Sequence, residues 1–141
     1  MKKKLICITT AMLLLLGLGG CAKDPETSFE TVNQVEGVTF AMEEDTQKST
    51  KATFTMTNDT ERDITYRKMY HMETKKDGKW YEFNSTANAQ WGDTTDTVAP
   101  GETDEFEIDW KTLCGPIKSG EHRIIMEIVD EGAVAVEFSA D

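Results

Sequence analysis

The sequence predicts an all-β fold, an antiparallel β-sandwich of seven or eight strands over residues 37–141. Apolar residues recur at every second position, and turn-forming residues separate these runs at short intervals. No stretch of ten residues has the spacing of an amphipathic helix. Strands with one polar and one apolar face bury their apolar faces by pairing two sheets, so we expect a sandwich. A closed barrel is the alternative.

The predicted strands follow one another with clear breaks. Asp77-Gly78 is predicted to form a hairpin turn between two strand-like runs. In the run from Ile64 to Met72, Lys68 interrupts the alternation of apolar residues. Residues 84–97 lack the alternation and are interpreted as a loop that can include a short irregular strand, while residues 111–118 hold one helical turn at most. The apolar positions are Val38, Phe40, Met42; Ala52, Phe54, Met56; Ile64, Tyr66, Tyr70, Met72; Trp80, Phe83; Phe106, Ile108, Trp110; Ile124, Ile125, Met126, Ile128, Val129; and Val134, Val136, Phe138.

The first twenty residues have the pattern of a secretory signal peptide. Three lysines at positions 2–4 precede an uncharged apolar run over residues 5–18. This run is short for a bilayer span, which needs about 20 apolar residues, so an N-terminal membrane helix is the less favoured interpretation. We therefore predict three parts, namely a signal peptide at 1–20, a lipidated Cys with a flexible tether at 21–36, and the sandwich domain at 37–141.

The end of the signal peptide, Leu18-Gly19-Gly20-Cys21, resembles the lipobox of bacterial lipoproteins. The resemblance implies cleavage between Gly20 and Cys21 and a diacylglyceryl group on the Cys21 sulfur. Acyl chains partition into a bilayer at about 0.8 kcal/mol per buried CH₂, so a lipid anchor would hold the protein at the membrane. The implied location is the outer face of the bacterial cytoplasmic membrane.

Charge and cysteine content exclude several classes. The chain has 26 Asp and Glu against 15 Lys and Arg, and loss of residues 1–20 leaves a net charge of −14. A nucleic-acid binder is not expected, because such proteins need a basic footprint. Cys7 leaves with the signal peptide and Cys21 carries the lipid, so Cys114 has no partner for an intramolecular disulfide. We interpret Cys114 as a small buried residue instead of a catalytic thiol.

Residues 51–130 resemble a known family. Asp77-Gly78-Lys79-Trp80, Pro100-Gly101-Glu102, a strand ending at Trp110, and Gly120-Glu121-His122-Arg123 occur in an order similar to that of the bacterial immunoglobulin-like domains of Gram-positive surface proteins and lipoproteins. Cys114 and His122 stand where that family usually has aromatic residues. The resemblance implies an immunoglobulin-like sandwich and no shared enzymatic activity. Trp80 and Trp110 are large enough to fill the core of such a sandwich, so we expect them there.

The candidate chemistry is sparse. His71 and His122 both fall in predicted strands, and we interpret them as half-exposed strand residues because no nucleophile motif accompanies them. Asp93, Asp96, Glu102, Asp104 and Glu105 offer oxygen ligands for calcium, although no calcium-loop motif is present and a solvated acidic edge explains them as well. No metal site and no cofactor is predicted.

The candidate binding loop is formed by Trp91, Asp93 and Asp96, since loops of sandwiches often carry binding sites. Packing of Trp91 back on the core is the alternative. We expect a monomeric, non-enzymatic interaction or accessory module for an envelope protein or polymer. Two other functions are considered, a protease inhibitor that presents the 84–97 loop and a calcium-dependent binding protein.

Overall fold

The computed structural model describes residues 23–141, so the predicted signal peptide, Gly20 and Cys21 lie outside the described residues. Within residues 23–141, the chain forms nine strands and two short helices in two antiparallel sheets, which confirms the predicted β-sandwich. The elements are β1 Val38–Met42, β2 Lys51–Asn58, β3 Ile64–Arg67, β4 His71–Lys76, β5 Lys79–Glu82, α1 Asn84–Ala87, β6 Thr95–Val98, β7 Thr103–Asp109, α2 Lys111–Cys114, β8 Gly120–Ile128 and β9 Gly132–Ala140.

The small sheet has the order β1-β2-β7, and the large sheet is built around β8. One side of β8 pairs with β4 and β3, and the other side pairs with β9 along its whole length. β5 adds to β4, and β6 adds to β3. The predicted run from Ile64 to Met72 is therefore two strands that meet β8 at different points, with a break at residues 68–70 where Lys68 interrupts the alternation.

Period-two alternation places the core between the sheets. On β2, the side chains of Ala52, Phe54 and Met56 are fully buried, while their neighbours are only partly buried. Trp110 is fully buried and its Nε1 donates to the Ser49 carbonyl at 2.9 Å. Trp80 differs from the prediction, because its register opposite Lys75 directs it to the outer face of the large sheet, where it lies 4.6 Å from the Arg123 guanidinium.

The turns follow from local sequence. Asp77 and Gly78 have φ values of 52° and 78°, the left-handed conformation that a two-residue hairpin of the predicted type requires. Residues 84–97, predicted as a loop, contain α1 and β6, and the single helical turn predicted after Trp110 is α2.

The segment before the sandwich differs from the predicted flexible tether. Its residues, 24–35, lie against the large sheet and hydrogen-bond to two of its outer strands, β5 and β9. Thr27 N donates to Trp80 O, and Glu82 N donates to Pro25 O, each at 2.9 Å, so the segment continues the sheet beyond β5. Val35 belongs to the core at 7% exposure. The domain boundary at residue 37 stays a prediction, but residues 24–35 are held by the sandwich.

Asn33 anchors the other end of this segment. Its backbone N donates to Ala133 O at 2.8 Å, its Nδ2 donates to Ala135 O at 3.1 Å, and its Oδ1 accepts from Ala135 N at 2.8 Å. The segment thus crosses the outer face of the large sheet from β5 to β9. Neighbouring residues on β4 are therefore both fully buried, Glu73 under this segment and Met72 in the core on the other face.

Candidate functional site

A cleft of about 340 Å³ opens at one side of the sandwich, between the edge strand β7 and the β3–β4 break. This volume is at the lower end of the range for ligand pockets, about 300–1,000 Å³. Two sequence features produce the cleft. The break at Lys68 lets Met69 and Tyr70 leave the sheet register, and the 84–97 segment folds so that Trp91 reaches them. The lining residues are Tyr66, Lys68, Met69, Tyr70, Trp91, Phe106, Glu107, Ile108, Asp109 and Met126.

Two aromatic side chains in the cleft have unsatisfied polar atoms. Tyr70 and Trp91 form an edge-to-face pair with ring centroids 5.0 Å apart. Neither the Tyr70 hydroxyl nor the Trp91 Nε1 has a hydrogen-bond partner within residues 23–141, although both atoms are buried. An unpaired buried polar group lowers the stability of the fold by about 1–3 kcal/mol, so native proteins contain few of them.

The Tyr70 hydroxyl is protonated at physiological pH. Burial, together with the nearby Cys114 and the carboxylate of Asp109, raises the pKa of Tyr70 well above its ordinary value. The hydroxyl can therefore both donate and accept a hydrogen bond, whereas the Trp91 Nε1–H can only donate. An occupant with oxygen acceptors would satisfy both groups.

Tyr66 is already satisfied, in contrast to Tyr70. Its hydroxyl donates to Asp104 Oδ2 at 3.1 Å and lies 3.4 Å from Asp96 Oδ2. Burial and then the Asp104 charge raise the pKa of Tyr66 above its usual range. Asp96 also forms an ion pair with Lys68 at 3.2 Å. Tyr66 and Asp96 thus close one end of the cleft as structural elements.

A second polar group lies on the opposite side of the large sheet, under residues 24–35. His71 Nδ1 hydrogen-bonds Glu82 Oε1, its Nε2 lies 3.6 Å from Glu127 Oε2, and Phe29 contacts the ring edge-on at 4.9 Å. Burial opposes protonation of His71, but the hydrogen bond and charge of Glu82 and the charge of Glu127 outweigh it, so the pKa of His71 is raised. This arrangement favours a positively charged ring between two carboxylates.

The same buried face contains an ion pair. Arg123 Nε and Nη2 contact Glu73 Oε1 at 2.7 and 2.6 Å, and Nη2 lies 3.3 Å from Thr27 Oγ1. Both charged side chains are almost completely buried, with relative exposures of 6% and 0%. Together with His71, this pair forms a polar layer that residues 24–35 cover.

Residues 34–139 match the family model for the bacterial Ig-like domain. This range covers most of the chain and all nine described strands except the last residue of β9. The chain belongs to the bacterial Ig-like domain family. The match is wider than the 51–130 resemblance in sequence and includes β1 and β9, the strands that complete the two sheets.

Two solved structures are similar to this Ig-like domain. The archaellum periplasmic stator protein FlaG from Sulfolobus acidocaldarius has a TM-score of 0.44 at 14% identity, covering 72% of this chain and 99% of that chain. The archaellum periplasmic stator protein complex FlaF and FlaG from Sulfolobus acidocaldarius has a TM-score of 0.44 at 18% identity, with 84% and 99% covered. No curated protein matches the chain.

The Ig-like fold separates the three residues predicted as a binding loop. Trp91 lies in the cleft and also packs against the core, so both interpretations of this residue contribute. Asp96 is on β6 at the cleft's end, paired with Lys68, and Asp93 is exposed and outside the cleft lining. Tyr70 was missed as a site residue, and the Lys68 interruption of the strand pattern was the signal that could have found it.

The acidic residues considered for calcium are dispersed. Asp96 and Asp104 share the Tyr66 hydroxyl, and Glu105 hydrogen-bonds Glu43 and raises the pKa of that carboxyl. In the part of the chain that the structure describes, no three His, Cys, Asp or Glu residues converge as metal ligands.

The remaining candidate groups have structural surroundings. His122 is buried at 1% exposure, not half-exposed as predicted, because β4 and β9 flank it on both sides. Its Nε2 donates to Lys118 O at 2.7 Å, and its Nδ1 forms a hydrogen bond with Thr74 Oγ1 at 3.0 Å. Burial raises the pKa of the Cys114 thiol to about 11, so it is a weak nucleophile at neutral pH. No helix between residues 23 and 141 has the length and apolar character needed to cross a membrane.

Proposed function

We propose that this protein is a lipid-anchored, non-enzymatic interaction module at the outer face of a bacterial cytoplasmic membrane. It contacts an envelope protein or polymer through the cleft beside Trp91. The observation that carries the binding part is a cleft lined by Tyr70 and Trp91, whose hydroxyl and Nε1 are buried without a hydrogen-bond partner in residues 23–141. Family membership supports the choice of an interaction module, since such sandwiches present their sites on a rigid scaffold.

The surroundings of the reactive groups support a role without catalysis. His122 has both ring nitrogens in structural hydrogen bonds, and the His71 Nδ1 bonds to Glu82. The Cys114 thiol is protonated, and its neighbour within 4.0 Å is the Ser85 hydroxyl, not a base. Nucleophilic catalysis needs a nucleophile beside a base, and neither histidine fills that role for Cys114.

A contact of Asp24 supports an anchor that lies close to the domain. Asp24 Oδ1 accepts from Asn84 N at 2.8 Å, so the chain is held from this point on. Only Ala22 and Lys23 lie between Cys21 and Asp24, and three residue steps of a fully extended chain span at most about 11 Å, at about 3.6 Å each. A lipid on Cys21 would keep the domain close to the headgroups.

The segment 84–97 gives less support to a protease inhibitor. Inhibitory loops present an extended, accessible backbone, whereas here Thr86 is buried in α1, and Trp91 packs against the core. The interaction module is therefore the function that the geometry favours.

Lipid attachment is tested by metabolic labelling with an alkyne palmitate analogue and membrane fractionation. We expect the natural chain to carry the label and to sediment with membranes, and the Cys21→Ala variant to lose the label. Cys114→Ala is the matched control and should keep both properties, because Cys114 is half-buried in the domain. An unlabelled natural chain, or a labelled Cys21→Ala variant, would overturn the anchor.

A further inference from the structure

We infer that the cleft and the outer edge of β7 bind an extended peptide segment of a partner protein by strand addition, and that large apolar residues alternate with basic residues in this segment. The inference rests on the proposed function, because it names the chemistry of the partner. Three independent features carry it, namely the backbone edge of β7, the unpaired groups in the cleft, and the acidic side chains beside them.

The backbone of β7 is available for pairing. Trp110 N donates to Thr50 O at 2.8 Å, and Asn58 N donates to Glu102 O at 3.0 Å, so even-numbered residues of this strand bond to β2. Bonded pairs alternate along an antiparallel ladder. The odd-numbered residues therefore direct their N–H and C=O groups outward, and within residues 23–141 no strand pairs with this edge. These residues are Thr103, Glu105, Glu107 and Asp109.

The cleft lies directly beside this edge. A strand added to β7 would place alternate side chains on the inner face, level with Phe106 and Ile108, which line the cleft. One large apolar side chain could enter there. The Trp91 Nε1–H and the Tyr70 hydroxyl, unpaired within the described chain, could then bond to peptide carbonyl oxygens. Tyr70 is 8% exposed, so its hydroxyl pays the full cost of desolvation until an occupant arrives.

The outer face beside the edge is acidic. Glu105, Glu107 and Asp109 are exposed and alternate along β7 with Phe106 and Ile108, and Glu107 and Asp109 also border the cleft. The hydrogen bond and the charge of Glu105 raise the pKa of the Glu43 carboxyl. Basic residues at the outward positions of an added strand would relieve this repulsion, as opposite charges across neighbouring strands attract. The expected pattern is basic, apolar, basic.

A neutral sugar is the other occupant that aromatic rings and hydroxyl-binding groups could hold. It would leave the outward N–H and C=O groups of Glu107 and Asp109 unused. A peptide uses both the edge and the cleft, and main-chain bonds supply affinity in this recognition mode while pockets supply specificity. The edge therefore favours the peptide.

The test is calorimetric titration of the full-length mature chain in detergent with a capped peptide, Lys-Val-Lys-Phe-Lys-Val-Lys. The control peptide, Val-Lys-Lys-Lys-Lys-Phe-Val, has the same composition and charge without the alternation. We expect the alternating peptide to bind about tenfold more tightly, the ratio that about 1.4 kcal/mol represents. Hydrogen exchange should show new protection at the Glu107 and Asp109 amides.

Three variants locate the site. Glu107→Pro removes an outward N–H but no bond to β2, and proline is tolerated on strand edges, so this variant should fold and lose the preference. Tyr70→Phe removes only the unpaired hydroxyl and should weaken binding while the chain stays as stable or becomes more stable. Tyr81→Phe, on β5, is the matched control and should bind normally.

Equal binding of the two peptides would overturn the inference, as would unchanged binding by folded Tyr70→Phe. Calorimetric binding of cello- or chito-oligosaccharides that depends on Tyr70 would replace the peptide by a sugar. Because the titration is done in detergent, its result is independent of palmitate labelling. Loss of labelling with intact peptide preference would refute the anchor alone, and the reverse result would refute the peptide alone.

Discussion

The outer edges of the two sheets differ in how far other parts of the chain cover them. Residues 24–35 bond to β5 and to β9, two of the three outer strands of the large sheet, so this segment covers part of both edges. The outer edge of β7 in the small sheet has no such cover in residues 23–141. Unprotected edges invite pairing with other chains, and proteins commonly block them. Among the described residues β1 and β6 also have an unpaired outer edge, but the edge of β7 is the one that borders the cleft, which makes it the edge suited to a partner.

The difference extends to the charged pairs on the two sides. Arg123 and Glu73 are buried under residues 24–35, whereas Lys51 and Glu107 on the small sheet are 36% and 50% exposed at 3.3 Å. Removing one partner of a buried pair leaves an unpaired buried charge, while an exposed pair contributes little because water and salt screen it. We call the face of the large sheet under residues 24–35 the closed side, and the face with the uncovered edge of β7 the open side. Loss of one charge should therefore lower the free energy of unfolding much more on the closed side.

The largest expected effect is that of Arg123→Met. It leaves Glu73 buried and unpaired, and we expect the free energy of unfolding to fall by about 3–5 kcal/mol, measured by urea denaturation. Lys51→Met is the matched control on the open side and should cost less than about 1 kcal/mol. Glu73→Gln removes the unpaired buried charge. The double variant Arg123→Met/Glu73→Gln should therefore recover part of the lost free energy of unfolding. If Arg123→Met and Lys51→Met lower the free energy of unfolding by similar amounts, the two sides do not differ as we expect.

A smaller effect is expected at the point where the segment is fixed to β9. Asn33→Ala removes two hydrogen bonds between the Asn33 side chain and Ala135, at a cost of about 1–2 kcal/mol. Asn33 has a φ of 60°, which alanine adopts less readily than asparagine, so Asn33→Gly separates the backbone contribution from the side-chain bonds. Both variants should raise the rate of amide exchange at Ala135. Unchanged exchange there would show that the segment does not depend on Asn33.

Sequence patterns predicted the parts of the fold that depend on local order. The alternation around Phe54 and Phe106 and the Asp77-Gly78 turn each identify a strand or a turn from a few adjacent residues. The sequence also contained a local signal for the cleft, because the charged Lys68 interrupts the apolar alternation between Tyr66 and Tyr70. Trp91 was found as a candidate because it is a large aromatic residue in a polar stretch.

The contacts of residues 24–35 could not be predicted in this way. Phe29 and Val35 are too widely spaced to mark an element, and Asn33 is held by its side-chain bonds to a strand about a hundred positions away. Glu73 and Arg123 alternate like exposed strand residues, and only the covering segment makes them buried. The unpaired state of the Tyr70 hydroxyl likewise depends on how two sheets and a loop meet. These features are set by long-range packing, which local periodicity does not encode.

The smallest expected effect is a pH dependence confined to the closed side. The pKa of His71 is raised in the folded protein by Glu82 and Glu127, against the opposing effect of burial. A raised pKa means that protonation favours folding, so this contribution is complete below the unfolded value of about 6.5 and is lost as the pH rises through the folded pKa. Urea denaturation between pH 5.5 and 8.5 should show this loss, and His71→Gln should abolish it. Glu127→Gln, which removes one source of the shift, should reduce it, whereas Tyr70→Phe on the open side should leave it unchanged. If the free energy of unfolding of His71→Gln depends on pH as strongly as that of the natural chain, another group titrates. His71 would then not contribute to holding residues 24–35.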